Sequence, residues 1–385
     1  MSNRFFTFCL LLVVSFGWAQ ENDFGIKFSG FVKYDAFYDT RQVVAAREGH
    51  FLLYPAAKSD ENDNPSLNML AIQTRLKGAI SAPDAFGAKV KGVIEGAFFG
   101  HSDPDVNGFR LRHAFVSFTW DKTQLLFGQT WHPMFVTAVF PDVVSFNTGV
   151  PFQPFSRNPQ IRLTQTVAEG TQLIVAAMSQ RDFTSTGGSK SLRDAVVPNM
   201  HAQLQYTTGK NVFGGGVDYK MLRPSLASDE TVSGISFIGY AKLVMEAITI
   251  KAEGIMGQNL TDLLMLGGYA MKDGSMQYVP TDVISFWGEI HTNGPDMQFG
   301  IFGGYTQNKG TSDNIAAGSE AARGTSIDNI IRVSPRVVWN SGKARFALET
   351  EYTVAAYGTP DSKLQVSNTE NADNIRILFA TYLFF

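Results

Sequence analysis

Basic side chains recur at alternate positions along several stretches of this 385-residue sequence. Arg75 and Lys77, Lys89 and Lys91, and Arg110 and Arg112 are each two residues apart, with Lys27 and Lys33 before them and Arg162 after. A spacing of two puts side chains on one face of an extended strand, so each pair presents two cations in the same direction. A guanidinium meets a carboxylate through two parallel hydrogen bonds, and the chemistry open to such a set is attraction of small anions. Acids of the same parity are fewer in this half: Asp35, Asp39 and Glu95. The later half is mixed, with Glu253, Glu289, Glu349 and Glu351 beside Lys251, Arg332, Arg336 and Arg345. One wall of the molecule is therefore expected to be basic, although the whole chain carries a net charge of −3.

Other chemistry finds little support. His101, His113, His132, His201 and His291 fall on separate stretches without metal-ligand spacing. His113 and Ser117 could share a strand face, as in an outer-membrane hydrolase, but Phe118 and Thr119 follow that serine where an asparagine-glycine context would be required. One pair does not assemble the converging roles of an active site, so no enzyme activity is expected. Gly214 to Gly216 precede no helix pattern and cannot cradle phosphate; they read as a closely packed strand. No cofactor or metal is expected, and the charge balance gives no reason to expect nucleic acid.

The elements that position these residues begin after a secretory signal. Arg4 precedes an apolar run from Phe5 to Phe16, and Gly17 and Ala19 supply the small residues of a cleavage site. The run is too short to span a membrane as a helix, so residues 1–20 are expected to be removed and 21–385 to form one domain. Cys9, the single cysteine, lies inside the signal, which leaves the mature chain without a thiol, and with 31 basic against 35 acidic residues. No later apolar run is long enough for a membrane helix. From Phe24 onward the period is two: Ile26, Phe28, Gly30, Val32, Tyr34, Ala36 and Tyr38 share a face opposite Lys27, Ser29, Lys33, Asp35 and Asp39.

This pattern predicts sixteen strands, at about residues 24–39, 67–80, 88–100, 109–120, 123–131, 159–168, 171–181, 199–207, 211–222, 231–245, 247–258, 281–291, 297–307, 327–339, 344–357 and 373–385. Even strands end in short links such as Trp120–Thr123, whereas odd strands end in long ones such as Thr40–Ser66, His132–Asn158 and Asn259–Thr281. Short turns alternating with long loops mark a transmembrane antiparallel β-barrel of the outer membrane, with both termini on the periplasmic side. The last strand ends on Phe385, in register with Ile375, Ile377, Phe379 and Leu383. A terminal aromatic on an amphipathic strand resembles the signal read by the barrel assembly machinery, so Phe385 is expected to serve assembly.

The link after the fifth strand is rich in phenylalanine, valine and proline. Such a segment would be costly in water outside the cell, so it is expected to fold into the barrel as a constriction loop held by Phe140, Phe146, Phe152 and Phe155, with Asp142 at its centre. Leu111 to Phe118, LRHAFVSF, and Leu126 to Trp131, LFGQTW, resemble the DcaP-like porins, a family of trimeric outer-membrane channels, most sharply over Phe109 to Asn158. That resemblance implies a homotrimer in outer-membrane lipid and, together with the basic wall, small anionic, carboxylate-bearing solutes. Lys33, Arg75, Lys77, Lys91, Arg110, Arg112 and Arg162 would line the pore and bind those anions, or would pair with loop acids such as Asp142 and hold the loop. The function expected is passive diffusion through a porin in the outer membrane of a Gram-negative bacterium. The alternative is a surface receptor or adhesin whose barrel only anchors its outer loops.

Overall fold

The structure, a computed structural model, describes residues 24–385, and the expected signal peptide and Cys9 lie outside the described residues. Sixteen long strands follow in order: β1 Gly25–Asp39, β2 Arg75–Ala85, β3 Ala88–Ala97, β4 Arg110–Thr119, β5 Thr123–Trp131, β6 Arg157–Ala168, β7 Thr171–Met178 and β8 Asn199–Thr208. The second half comprises β9 Asn211–Leu222, β10 Val232–Val244, β11 Ile248–Gln258, β12 Tyr278–Thr292, β13 Met297–Thr311, β14 Ile327–Ser341, β15 Ala344–Pro360 and β16 Val366–Phe384. Each pairs antiparallel with its neighbours, and β16 pairs with β1 from Phe31↔Phe384 to Asp39↔Arg376, which closes the ring. The sixteen strands and the closed antiparallel barrel agree with the sequence pattern.

Closure satisfies every backbone edge, which an open sheet in lipid could not do. The alternation then sorts side chains by solvent. Along β16, Ile375, Ile377, Phe379 and Leu383 are exposed on the outer face, while Asn374, Arg376, Leu378 and Ala380 are buried inside. Along β1, Ile26, Phe28, Val32, Tyr34 and Tyr38 face out, and Lys33, Asp35 and Asp39 are buried. A charge on the lipid face at mid-membrane costs about 2–4 kcal/mol, which drives this sorting.

Strand ends depart from the sequence reading where the barrel rises past the lipid. β16 begins at Val366, not near 373, and a tight turn, Asp361–Gln365, joins it to β15. Ser367, Asn368, Thr369 and Glu370 are all exposed, so this extension has no apolar face to alternate with a polar one. The second strand is split: Ser66–Leu70 pairs with the outer half of β1, and β2 starts only at Arg75. Between them Thr74 turns inward, and its hydroxyl accepts a hydrogen bond from the Lys33 amide at 3.1 Å.

Three long links enter the barrel. A hairpin, Val43–Ala46 with Phe51–Pro55, the segment after β5, and Leu260–Leu266 after β11 pack together with Trp287, Phe302 and Ile327 of the wall. Sequence reasoning placed only the second of these inside.

The seam between β1 and β16 is finished at its periplasmic end by Gly30 and Phe385, whose backbones exchange two hydrogen bonds at 3.1 Å. A Cβ on Gly30 would lie 2.1 Å from the Arg75 carbonyl oxygen and 2.9 Å from the Phe385 ring. Deleting Phe385 or replacing Gly30 with valine should each lower the amount of heat-modifiable barrel in outer-membrane fractions several-fold. Wild-type amounts in both variants would show that the seam closes without this pair.

Candidate functional site

The segment from His132 to Ser156 leaves β5 and crosses the lumen. Trp131 at the strand end stacks on Phe135, with ring centroids 3.8 Å apart, and meets Phe155 edge-on at 5.0 Å. Phe146 packs against Phe99 at 4.4 Å and Phe51 at 5.3 Å, so the entering hairpin and the crossing segment share one apolar cluster. Phe152 lies against Phe302 at 6.1 Å, and a Cβ on Gly304 would sit 2.4 Å from the Phe152 ring, which accounts for a glycine in β13 there. Phe146, Phe152 and Phe155 are buried, and Phe140 is half-buried at the segment's edge.

Aromatic packing leaves the segment's backbone amides to be satisfied, and wall carboxylates do this. Glu289 on β12 accepts from the Asp142 amide at 2.7 Å. Glu349 on β15 accepts from the amides of Val144 at 2.7 Å and Ser145 at 3.0 Å. Glu351 accepts from the Asn147 side chain at 2.6 Å. Cations complete the set from the carbonyl side: Arg332 donates to Val150 at 2.8 Å and Lys33 to Val144 at 2.9 Å. The far-wall glutamates, which sequence reasoning noted only as charges, thus hold the crossing segment. Their parity placed them in the lumen, but nothing in a sequence reveals which backbone amides they meet.

Asp142 does not pair with the arginines of the first strands. The segment crosses the lumen, so Asp142 reaches the opposite wall, where Lys251 lies at 2.7 Å and His291 at 3.2 Å. Desolvation pushes its carboxyl up, but the hydrogen bonds and charges of His291 and Lys251 outweigh this and hold it below the usual carboxylate range. His132, at the start of the segment, is buried beside Asp218 at 3.4 Å. Burial pushes its imidazole down to about 3, so it is neutral at physiological pH.

Beneath the segment lies a cavity of about 460 Å³. Four arginines border it, Arg75, Arg112, Arg336 and Arg345, against one acid, Asp142. The rest of the lining includes Trp131, Phe135, Phe140 and Tyr382. Glu95 serves two of the arginines, with Arg112 at 2.8 Å and Arg75 at 3.4 Å, so one positive charge is left over. Arg336 meets Glu289 at 3.1 Å. Arg345 donates to Asn340 at 2.8 Å and lies over the rings of Tyr382 and Phe384, and among the described residues no carboxylate pairs with it. A β-bulge aims Arg112: β3 pairs Glu95 with His113 and Gly96 with Leu111, and Arg112 is the extra residue. Both Arg112 and His113 consequently point inward, as bulges near functional sites commonly arrange.

The other expected pore cations lie elsewhere. Arg110 is buried against Asp182, which it shares with Arg157, and stacks on Phe183 in the outer half. Lys33 is fully buried, with Asp35 at 3.0 Å. Arg162 donates to Gln160 at 2.8 Å and to the Trp131 carbonyl, away from any carboxylate among the described residues. Lys77 and Lys91 do not border the cavity. Arg336, Arg345, Trp131, Phe135 and Tyr382 were outside the expected site, whereas Phe140, Phe146 and Phe155 were named for the loop. The inward parity of Arg336 and Arg345 was visible, but their convergence with Arg75 and Arg112 depends on closure of the ring. His113 bonds to Thr130 at 3.1 Å and Ser117 lies 3.5 Å from the Lys91 carbonyl, so the two share no hydrogen bond.

Residues 19–193 match the family model described as DcaP outer membrane protein. The whole fold is similar to the outer membrane channel DcaP of Acinetobacter baumannii, with 18% identity, 96% of this chain and 99% of that chain covered, and a TM-score of 0.76. It is also similar to an anion-selective porin from Comamonas acidovorans, at 10% identity, 94% and 100% coverage and a TM-score of 0.60. The trimer form of OmpT from Vibrio cholerae matches at 10% identity, 94% and 100% coverage and a TM-score of 0.58. No curated protein sequence matches the chain. The first half of the chain is thus similar to the DcaP outer membrane proteins, the whole chain shares the fold of that channel, and the barrel lies in the outer membrane of a Gram-negative bacterium.

Replacing Glu349 with alanine should loosen the crossing segment, because two buried amides lose their acceptor at a cost of about 1–3 kcal/mol each. A spin label on Val143→Cys reads this directly. The spectrum should change from immobilised to mobile in the Glu349→Ala background, and an unchanged spectrum would mean that aromatic packing alone holds the segment.

Proposed function

We propose that this DcaP-like chain is an outer-membrane porin through which small hydrophilic solutes diffuse, with carboxylate-bearing anions favoured. The observation that carries the reading is the lumenal cavity bordered by four arginines and a single acid. Fixed charge in a narrow, partly dehydrated passage is screened less than in bulk, so a small excess of cations raises the local anion concentration. Arg345, free of any carboxylate among the described residues, and the Arg75–Glu95–Arg112 group supply that excess. The guanidinium fork suits carboxylates in particular. Selection stays weak enough for release, since a solute held tightly would not leave.

The segment from His132 to Ser156 acts as the constriction loop in this reading, and Phe140, Asp142, Phe146, Phe152 and Phe155 set its position. The likeness to an anion-selective porin and to the trimer form of OmpT supports anion preference and a homotrimer. Outer-membrane lipid surrounds the exposed apolar belt, and the barrel assembly machinery reads the last strand with Phe385 at its end.

A bilayer recording under a potassium chloride gradient tests the proposal. Stable open-channel steps and a reversal potential favouring chloride are expected, with stronger transient block by a dicarboxylate such as succinate than by glucose. The double change Arg75→Ser and Arg112→Ser should reduce both effects, whereas Arg110→Ser, whose partner is Asp182 in the outer half, should change them much less. Cation preference in the unaltered channel would overturn anion selection. A barrel that merely anchors outer loops would give no steps.

A further inference from the structure

A second concavity lies on the lipid side, at the end of the barrel that carries the long loops. A short helix, α1 (Ser189–Ala195), and the residues after it overhang the outer wall of β5, β6 and β7. The groove beneath has a volume of about 620 Å³. Its wall is Phe127, Ile161 and Met178, and its roof is Leu192, Val196 and Val197. Leu192 fixes the helix to the barrel through Leu222, Val232 and Tyr269. Val196 is 88% exposed and adopts a left-handed conformation with φ 62°. A β-branched residue so placed would be unfavourable in water, but it is suited to a site filled by hydrocarbon.

The rim of the groove is basic. Arg193 borders it, and Lys190 on the same helix and Arg181 just before it are exposed. Among the described residues none of the three pairs with a carboxylate; Asp194, half-buried, is the helix's one acid. An apolar underside with cations above it is the arrangement of an interfacial helix that binds anionic lipid. The outer leaflet at this height carries glycolipid with phosphates on its sugar headgroup.

We propose that the groove between α1 and the β5–β7 wall binds one acyl chain of a phosphorylated outer-leaflet glycolipid of the lipid A type, with Arg193 and Lys190 on its phosphate. The site is distinct from the lumen and independent of what the channel conducts.

Native mass spectrometry of the detergent-solubilised full-length protein, incubated with bis-phosphorylated lipid A or with phosphatidylglycerol, tests this. The wild type should retain lipid A in preference to phosphatidylglycerol. The variant Lys190→Glu with Arg193→Glu should retain it at least about tenfold less well, with channel conductance unchanged. Lipid A stripped of its phosphates should behave like the variant. Equal retention by wild type and variant would overturn the proposal, as would equal binding of phosphatidylglycerol. If the variant loses lipid only as its oligomer dissociates, the groove is a contact between copies and the proposal fails.

Discussion

The lumen depends on one kind of interaction: a wall carboxylate accepting hydrogen bonds from the backbone of a segment that has left the sheet. A chain crossing the interior of a barrel takes its amides away from any strand partner, and an unpaired buried amide is costly. Glu289 and Glu349 accept three such bonds between Asp142 and Ser145, and Glu351 accepts a fourth bond from the Asn147 side chain. Without them the phenylalanines could still pack, but the segment would have no fixed height or direction. With them the segment is tied to β12 and β15 on the side opposite its origin.

That tie also sets the electrostatics. Carboxylates engaged with loop amides are only partly available to neutralise wall arginines, so positive charge remains on the periplasmic side of the segment. Arg332 and Lys33 spend their donors on loop carbonyls. Arg75, Arg112, Arg336 and Arg345 face the cavity, with Glu95 and Glu289 as their partial counter-charges. A net charge of −3 for the whole chain is thus compatible with a basic passage. The acids are concentrated where they anchor the loop and along the exposed outer turns and strand ends, such as Asp60, Glu61 and Glu370.

The barrel was legible because lipid enforces a period of two and periplasmic turns are short, so each of the sixteen strands left a trace in the sequence. The trace ended where the solvent changed. Above the lipid, β16 is polar on both faces from Ser367 to Glu370, and its pairing with β15 shows no alternation. The apolar content of the segment after β5 accords with the burial of Phe146, Phe152 and Phe155. The hairpin carrying Phe51 to Tyr54 was missed, because charged and polar residues flank a short apolar run and disguise it as an ordinary outer loop. Among the candidate cations, parity did not fix the height along the wall. Arg110 and Arg112, two residues apart, end on different partners, Asp182 and Glu95, because a bulge separates them.

The central claim is that the crossing segment narrows the passage, and single-channel conductance tests it most directly. A chain lacking Asp142 to Pro151, shown by heat-modifiable mobility to form its barrel, loses the tie to Glu289, Glu349 and Glu351. The account predicts a conductance clearly larger than that of the unaltered channel, with weaker discrimination between chloride and potassium. A folded deletion variant with unchanged conductance and selectivity would contradict it.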